Sequence, residues 1–355
     1  MKSLVIGGTG FLGGAIAEAL AARGHEVAVL SRGSTARALP GGIESIRADR
    51  HGDLRALEGR RFDWAFDTCA YAPGDVEALL DALGGRLGRY VLASSLSVYG
   101  RYDAPGLTEA QEAPGAGPGD LARAAAVPVG ERASAAAYGP SYGPLKRACE
   151  RIAGGRLGAR ATALRIGLIV GAGDYTDRLT WWVRRLDEAG RGAARALPAP
   201  APPDRPVQVL DVRDAADFAV RSAEGGLGGA WNVTGRPLPM RDLLRAIQAA
   251  TGSAARIRWC PPAAFAAAGA EPWTDVPLMA PDLPAFRHFL EVDAGRARAA
   301  GLAIRPLAET LGPLVAWDRA RRDVPLSCGM TPAQEEGVLK AASGPPPDAP
   351  AVPPA

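Results

Sequence analysis

Three polar residues have the types and spacing needed for proton transfer: Ser95, Tyr142 and Lys146. Tyr142 and Lys146 are four residues apart, which puts a phenol and an ammonium on one face of a helix. Pro144 lies between them and is tolerated only if that helix begins close to Tyr142. A neighbouring ammonium favours the phenolate, so a tyrosine placed in this way can take or give a hydroxyl proton. Ser95 would hydrogen-bond the same substrate oxygen.

Three spaced glycines follow the apolar run at residues 4–6. Gly7, Gly10 and Gly13 precede an alanine-rich segment, and this order predicts a strand, a tight turn and a helix over residues 11–23. Glycines let the backbone approach a pyrophosphate, and the N-terminus of the helix attracts the anion. The pattern favours dinucleotide binding over an ordinary structural turn.

The end of the second predicted strand, residues 26–30, bears on the choice of cofactor. An acidic residue at this place usually holds the ribose hydroxyls of NAD, whereas this chain has Ser31 followed by Arg32. Serine can hydrogen-bond a 2′-phosphate and arginine can pair with it, so the sequence favours NADP(H), with NAD as the alternative. The alternative interpretation of Arg32 is an exposed loop charge with no role in cofactor binding. Asp49 follows a third predicted strand at 43–47. Its carboxylate is expected either to accept a hydrogen bond from the adenine amino group or to cap a helix near Asp53.

Further strands are predicted at residues 64–67 and 90–93, with a helix at 75–83 between them. The small side chain of Ala70 would let a cofactor lie over the end of the fourth strand. Alternating strands and helices predict an α/β fold with a doubly wound parallel sheet, which binds ligands beyond the carboxyl ends of its strands. Ser94 and Ser95 follow the fifth strand at that edge.

Four motifs resemble those of one known family. They are Gly-Gly-Thr-Gly-Phe-Leu-Gly at 7–13, Ser-Ser-Leu-Ser-Val-Tyr-Gly at 94–100, Tyr-Gly-Pro-Leu-Lys at 142–146 and the segment 164–174. The chain is similar here to the extended short-chain dehydrogenases/reductases, in the NAD-dependent epimerase/dehydratase group. Residues 204–214 resemble a branch related to chloroplast stem-loop RNA-binding proteins. The resemblance spans residues 1 to about 320.

The motifs and the resemblance together imply site residues. Lys146 would also hold the nicotinamide ribose. The expected cofactor-binding residues are Gly7, Thr9, Gly10, Phe11, Leu12, Gly13, Ser31, Arg32, Asp49, Ala70, Tyr142, Lys146, Ile166 and Leu168. The expected substrate-facing residues are Ser97, Arg178, Arg205 and Gln208. For the two arginines, an exposed surface charge is an equal interpretation.

Two features of the chain depart from the group. Leu96 and Ser97 follow Ser95, where nucleotide-sugar 4,6-dehydratases have an Asp-Glu pair, so the sequence argues against elimination of water. Ser31 replaces the acidic residue that many relatives have, which argues against a strict NAD preference.

The resemblance also implies a division into lobes. The dinucleotide-binding domain is expected at 1–171, completed by 205–235, and the smaller C-terminal substrate lobe at 172–204 and 236–322. Trp181, Trp182 and Trp273 either line its pocket or form its core. The Pro- and Ala-rich residues 343–355 are expected to be disordered.

The composition of the chain argues against nucleic acid and lipid membranes as binding partners. The 355 residues carry 41 basic and 38 acidic side chains, a net charge of +3, so no overall field favours nucleic acid or anionic lipid. Four widely spaced cysteines form no metal motif and predict reduced thiols, no metal site and a reducing, cytoplasmic location. No apolar run is long enough for a signal peptide or a membrane span. A homodimer is a further expectation from the family.

These observations favour an oxidoreductase that moves hydride between nicotinamide and a carbonyl or secondary alcohol of a small molecule. The first alternative is an epimerase of a nucleotide sugar that uses the same trio. The second is a non-catalytic RNA-binding protein on the same fold, against which the low net charge and the intact trio both argue.

Overall fold

The computed structural model describes residues 1–33, 38–132, 134–192 and 196–343 of the chain. Its strands, in chain order, are β1 (Lys2–Ile6), β2 (Glu26–Ser31), β3 (Glu44–Arg47), β4 (Phe62–Asp67), β5 (Leu87–Ser95), β6 (Ala161–Ile166), β7 (Leu168–Val170), β8 (Leu197–Pro200), β9 (Pro206–Val207), β10 (Val209–Asp211), β11 (Gly229–Val233), β12 (Leu238–Pro239) and β13 (Ile257–Cys260). Its α-helices are α1 (Phe11–Ala22), α2 (Pro73–Leu83), α3 (Pro118–Ala126), α4 (Tyr142–Leu157), α5 (Arg178–Arg191), α6 (Val212–Glu224), α7 (Met240–Thr251), α8 (Pro262–Ala267), α9 (Gly295–Ala299), α10 (Leu307–Arg319) and α11 (Pro332–Ala341).

The described residues divide into two compact units. The first contains Met1–Val170, Gln208–Pro237 and Asp282–Pro306. The second contains Gly171–Val207, Leu238–Pro281 and the described residues from Leu307 onward.

A seven-stranded parallel sheet organises the first unit, in the order β11-β6-β5-β4-β1-β2-β3. The apolar residues of its inner strands alternate between the two faces, so each face buries its own layer of helices. On one face Val5, Val27 and Val29 pack with α1 and α6, and on the other Leu4 and Leu30 pack with α2 and α4. This is a Rossmann-like α/β fold, and the predicted fold class is confirmed.

The predicted elements of this unit match the observed ones closely. β2, β3, β4 and β5 lie where strands were predicted, and α1 ends one residue before the predicted boundary. Gly24 follows the end of α1 with φ +75°, as expected of a residue just past a helix C-terminus. α4 begins at Tyr142, so Pro144 occupies its first turn, where proline is tolerated.

One boundary of the first unit differs from the prediction. Among the described residues, β6 and β11 extend the main sheet beyond β5, and β7 pairs with β10 in a separate two-stranded sheet. Residues 282–306, expected in the second lobe, lie in the first unit. Backbone hydrogen bonds explain this placement, since Tyr102 N donates to Ala285 O and His288 N donates to Tyr102 O.

The second unit is built around short strands and buried tryptophans. β8 and β13 pair in parallel, and β9 and β12 pair antiparallel. Trp181 and Trp182 are buried in edge-to-face contact, and Trp182 Nε1 donates to Pro277 O at 2.8 Å. These two side chains therefore form core, in agreement with the second interpretation of the tryptophans. Substrate binding by this unit stays a prediction.

Three remaining expectations concern the termini, the thiols and the membrane. Residues 344–355 of the predicted disordered tail lie outside the described residues. All four cysteines are free thiols, as predicted. Within the described ranges, no helix combines the length and the apolar character needed to cross a membrane.

Candidate active site

Gly7 and Gly13, in the turn after β1, have no room for a side chain. Gly7 has φ +75°, and a β-carbon added to it would lie 2.7 Å from Thr68 Oγ1. A β-carbon on Gly13 would lie 2.3 Å from the carbonyl oxygen of Gly7, so the first turn of α1 rests directly on the turn backbone. Such a bare, close-packed turn is what a pyrophosphate needs for close approach.

The N-terminus of α1 has the charge that suits an anion. Its N-cap residue is Gly10, and no acidic side chain lies in the first turn of the helix. The positive end of the helix dipole is therefore directed at the glycine turn. Thr9 and Leu12 are half-buried at this helix end, and Phe11 is buried. The residues present fit a dinucleotide pyrophosphate.

Two other predicted cofactor residues, Leu12 and Ile166, line one small cavity with Thr68 and Ala93. Ser31 ends β2 half-buried and Arg32 is exposed in the following loop. Leu168 is half-buried in β7.

Asp49 has taken a local partner. Its Oδ1 accepts a hydrogen bond from His51 N at 3.0 Å. The predicted helix near Asp53 is a single 3-10 turn, Arg55–Leu57, and Asp53 rather than Asp49 accepts a hydrogen bond from its first residue. The prediction that Asp49 caps the helix near Asp53 is therefore wrong. The prediction that Asp49 binds the adenine of the cofactor stays a prediction.

Lys146 is held by two backbone carbonyls at the carboxyl ends of β4 and β5. Its side chain is buried, and Nζ donates to Ala70 O and to Ala93 O, each at 2.7 Å. The ammonium also lies 4.8 Å from the ring centroid of Tyr71 and 5.9 Å from that of Tyr142. An ammonium has three N–H groups, so two anchors fix its position and leave one donor for a ligand.

Ser95 and Tyr142 approach the same edge from two elements. Ser95 ends β5, its Oγ accepts from Ser97 N, and its hydroxyl donates to Ser97 Oγ, both at 3.1 Å. Gly143, next to Tyr142 on α4, packs so tightly on this segment that a β-carbon would lie 2.1 Å from Ser97 O. The start of α4, which carries Tyr142 and Lys146, therefore packs against the segment that carries Ser95 and Ser97.

A buried polar network fixes α4 against β5 and β6. Glu150 accepts from Ser94 Oγ at 2.6 Å and from Arg165 Nη2 at 2.8 Å. Arg165 Nη1 donates to Tyr99 Oη at 2.9 Å, and Tyr99 Oη donates to Asn232 Oδ1 at 2.7 Å. Burial raises the pKa of the Tyr99 phenol, although Arg165 and Asn232 oppose the shift. This phenol is therefore a neutral hydrogen-bonding residue that positions the helix carrying Tyr142.

The loop that carries Ala70 and Tyr71 is anchored by Asp75. Its Oδ2 accepts from Tyr71 N at 2.8 Å and from Ala72 N at 3.0 Å, and its Oδ1 lies 3.2 Å from His51 Nε2. Burial opposes ionisation, but His51, the Arg50 guanidinium and the two amides together lower the pKa of Asp75 to about 2.

Replacing Asp75 with Asn is expected to lower the free energy of unfolding at pH 7 by about 2 kcal/mol. The folded-state pKa of about 2 is below the unfolded value, so this stabilisation is present above about pH 4 and is lost as the pH falls through about 2. Urea unfolding of both proteins between pH 7 and pH 2.5 would measure the difference. A gap that stays constant over this range would contradict the assignment, and the exposed Asp282→Asn variant is the control, with no measurable change expected.

Gln208 requires a correction. Its side chain is buried, Nε2 donates to Gly235 O at 2.9 Å and Val292 O at 2.7 Å, and Oε1 accepts from Val292 N at 3.1 Å. The amide is committed to joining two backbone segments of the first unit, so the prediction that it faces substrate is wrong.

The two predicted substrate arginines lie in the second unit. The half-buried Arg178 begins α5, and its guanidinium lies 5.2 Å from the ring centroid of Trp273. Arg205 Nη2 lies 3.4 Å from Ala201 O, to which it donates. Both positions stay predictions for substrate contact.

Sequence reasoning missed the residues that hold the trio in place. Tyr71 lies outside the motifs, and Gly143 lies inside one but was given no role. The carbonyls that anchor Lys146 give no sequence signal, because a carbonyl belongs to every residue. Glu150 gave one available signal, since it lies four residues after Lys146 and so one helical turn beyond the trio.

Comparisons with known proteins concern the N-terminal segment and the overall fold. Residues 3–58 match the model of the NAD dependent epimerase/dehydratase family, which confirms the resemblance over the segment that it covers. A 2′-dehydrokanamycin reductase of Streptomyces kanamyceticus is 32% identical over 117 residues, 32% of this chain and 33% of that protein. The chloroplast stem-loop binding protein of 41 kDa b of Arabidopsis thaliana is 31% identical over 118 residues, 29% of this chain and 31% of that protein. The matched segment spans about a third of these curated relatives.

The fold is shared with solved structures over nearly the whole chain. The UDP-glucuronic acid 4-epimerase of Bacillus cereus, solved in complex with NAD, superposes with a TM-score of 0.64 at 14% identity. The alignment covers 92% of this chain and 99% of that one. At this identity the match establishes the fold alone.

Proposed function

We propose that this chain, whose residues 3–58 match the NAD dependent epimerase/dehydratase family, is an NADP(H)-dependent oxidoreductase. It transfers hydride between nicotinamide and a carbonyl or secondary alcohol of a small molecule. The reductase name of the Streptomyces relative supports the direction of the reaction.

The observation that carries the proposal is the position of Lys146. Its ammonium is held by the carbonyls of Ala70 and Ala93 and lies 5.9 Å from the ring centroid of Tyr142. This puts a fixed positive charge beside a phenol at the sheet edge where nucleotides bind in such folds. A lysine that only stabilises the fold would not require a tyrosine on the same face of its helix.

Each residue of the trio then has a separate task. Tyr142 donates its hydroxyl proton to the carbonyl oxygen as hydride arrives at the carbonyl carbon, and the reverse direction removes that proton. Lys146 favours the phenolate that remains and donates its third N–H to a ribose hydroxyl. Ser95 hydrogen-bonds the reacting oxygen and orients it.

The bound nicotinamide supplies the hydride, and the glycine turn with the N-terminus of α1 holds the pyrophosphate. Ser31 and Arg32 lie at the end of β2, where they would contact the adenosine ribose and its 2′-phosphate. Ser97, Arg178 and Arg205 are the proposed substrate contacts.

A coupled absorbance assay tests the proposal. The purified protein is mixed with NADPH and a panel of ketones that includes oxidised sugars and aminoglycosides, and absorbance at the reduced nicotinamide band is followed. Loss of one NADPH per alcohol formed supports the oxidoreductase. No ketone-dependent loss with any member of the panel, from protein that does bind NADPH, would count against it.

Replacing Ser31 with Asp is expected to shift the cofactor preference toward NADH. A carboxylate repels a 2′-phosphate and accepts hydrogen bonds from free ribose hydroxyls, so the ratio of the two Kd values should change by about tenfold or more, about 1.4 kcal/mol. Fluorescence titration with NADPH and NADH measures the ratio. The Ser31→Ala variant separates the effect of charge from loss of the hydroxyl, and an unchanged ratio in Ser31→Asp would refute the NADP(H) assignment.

The second candidate is an epimerase of a nucleotide sugar. The name of the matching family favours it. In that reaction the same trio oxidises the substrate and reduces it again on the opposite face. Protein that purifies with tightly held cofactor and converts a UDP-sugar without added coenzyme would favour this candidate.

The third candidate is an RNA-binding protein, supported by the name of the Arabidopsis relative. The net charge of +3 gives no general attraction to RNA. Filter binding that weakens with added salt would support this candidate.

A further inference from the structure

Arg47 ends β3 next to the end of β2. Ser31 and Arg47 are Cα partners in the parallel pairing of β2 with β3. Partner residues in parallel strands project to the same face of a sheet, so the two side chains lie side by side at its carboxyl edge.

The burial pattern identifies that face. In β2, Val27 and Val29 pack in the hydrophobic cluster that includes α1, whereas Ile46 in β3 packs in the cluster on the opposite face. Side chains alternate along a strand, so Ser31 and Arg47 both project to the α1 face. The glycine turn opens on the same side, because α1 follows it directly.

Gly33 leaves space for the arginine. A β-carbon on Gly33 would lie 3.5 Å from Nε and 3.6 Å from Cζ of Arg47, so the guanidinium lies against the backbone of the loop that follows β2. Gly33 has φ +76°, a conformation that favours glycine. Gly33, two residues after Ser31, therefore packs against the side chain of Arg47.

We propose that Arg47 is a binding residue for the phosphate on the 2′-hydroxyl of adenosine, completing a site with Ser31 and Arg32. The inference rests on the NADP(H) dependence proposed above. A guanidinium presents a fork of donors that matches phosphate oxygens, and a phosphate ester carries close to two negative charges.

The carboxylates nearest to Arg47 along the chain are directed elsewhere. Glu44 pairs with Arg60, and Asp49 accepts from His51 N. Two exposed arginines, 32 and 47, therefore adjoin one half-buried serine, an arrangement that suits an anionic ligand.

Binding of adenosine bisphosphates tests the site without a known substrate. Isothermal titration uses adenosine 2′,5′-bisphosphate, its 3′,5′ isomer and AMP as probes, at one fixed salt concentration. The wild type is expected to bind the 2′,5′ isomer more tightly than the other two. The Arg47→Gln variant should lose about tenfold in affinity for the 2′,5′ isomer and less than about twofold for AMP.

Controls separate the failure of this inference from that of the proposed function. Arg61→Gln removes another exposed arginine of the first unit and should leave all three affinities unchanged. Equal wild-type binding of the 2′,5′ isomer and AMP would overturn the NADP(H) assignment itself. A wild type that prefers the 2′,5′ isomer while Arg47→Gln retains that preference would overturn the role of Arg47. Equal losses for both bisphosphates would make Arg47 a general anion contact and also overturn it. Unchanged thermal unfolding of Arg47→Gln confirms that the variant is folded.

Discussion

Replacing Tyr142 with Phe is expected to lower kcat by about 10³-fold, because a positioned acid or base contributes about 10²–10⁴-fold. The ring still packs beside Lys146, so the Kd for NADPH should change by less than about twofold. Initial rates with the best ketone of the panel and a fluorescence titration with NADPH measure the two quantities.

A second phenol gives the matched control. Tyr138 is buried, its ring stacks on Tyr71 and its hydroxyl donates to Arg132 O at 3.1 Å. Burial raises the pKa of Tyr138 to about 12, so it does not serve as a base near neutral pH. Tyr138→Phe should keep kcat within about threefold of the wild type, since it loses one modest hydrogen bond. Turnover in Tyr142→Phe within tenfold of the wild type would remove Tyr142 from the chemistry.

Replacing Gly13 with Ala is expected to impair cofactor binding at the glycine turn, which is proposed to hold the pyrophosphate. The added methyl group would lie 2.3 Å from Gly7 O and 2.9 Å from Gly8 Cα, both backbone atoms that cannot rotate away. Either α1 or the glycine turn must then move. We expect an affinity for NADPH lower by about tenfold to a hundredfold, and a free energy of unfolding lower by about 1–3 kcal/mol.

Gly154 provides the matched control for the Gly13→Ala variant. It lies exposed within α4, and a β-carbon there would meet no heavy atom within 4 Å. Gly154→Ala should therefore raise the free energy of unfolding by about 0.5–1 kcal/mol and leave NADPH binding unchanged. If Gly13→Ala behaves like Gly154→Ala in both titration and urea unfolding, the glycine turn is not a tight phosphate-binding turn.

Local sequence signals predicted the fold of the first unit well, because its strands are short apolar runs bounded by turn residues. The start of α4 was predictable from Pro144, because proline is tolerated in the first turn of a helix and not in its interior. The Tyr142 and Lys146 pair follows directly from helix geometry. These features depend on neighbours within a few residues, which sequence patterns describe.

Features that depend on distant partners were not predictable. Gln208 reads as a polar residue before a strand, but its amide bonds to backbone groups of residues 235 and 292, which no local pattern reveals. Arg47 lies beside Ser31 only because β2 and β3 pair in register.

A crystal structure with bound NADP⁺ would test the central claim most directly, that one cofactor extends from the glycine turn to the Tyr142 and Lys146 pair. We predict the pyrophosphate at residues 7–13, and a nicotinamide ribose hydroxyl about 3 Å from both Tyr142 Oη and Lys146 Nζ. A pyrophosphate bound away from this turn, or a nicotinamide ribose out of reach of both side chains, would contradict the account.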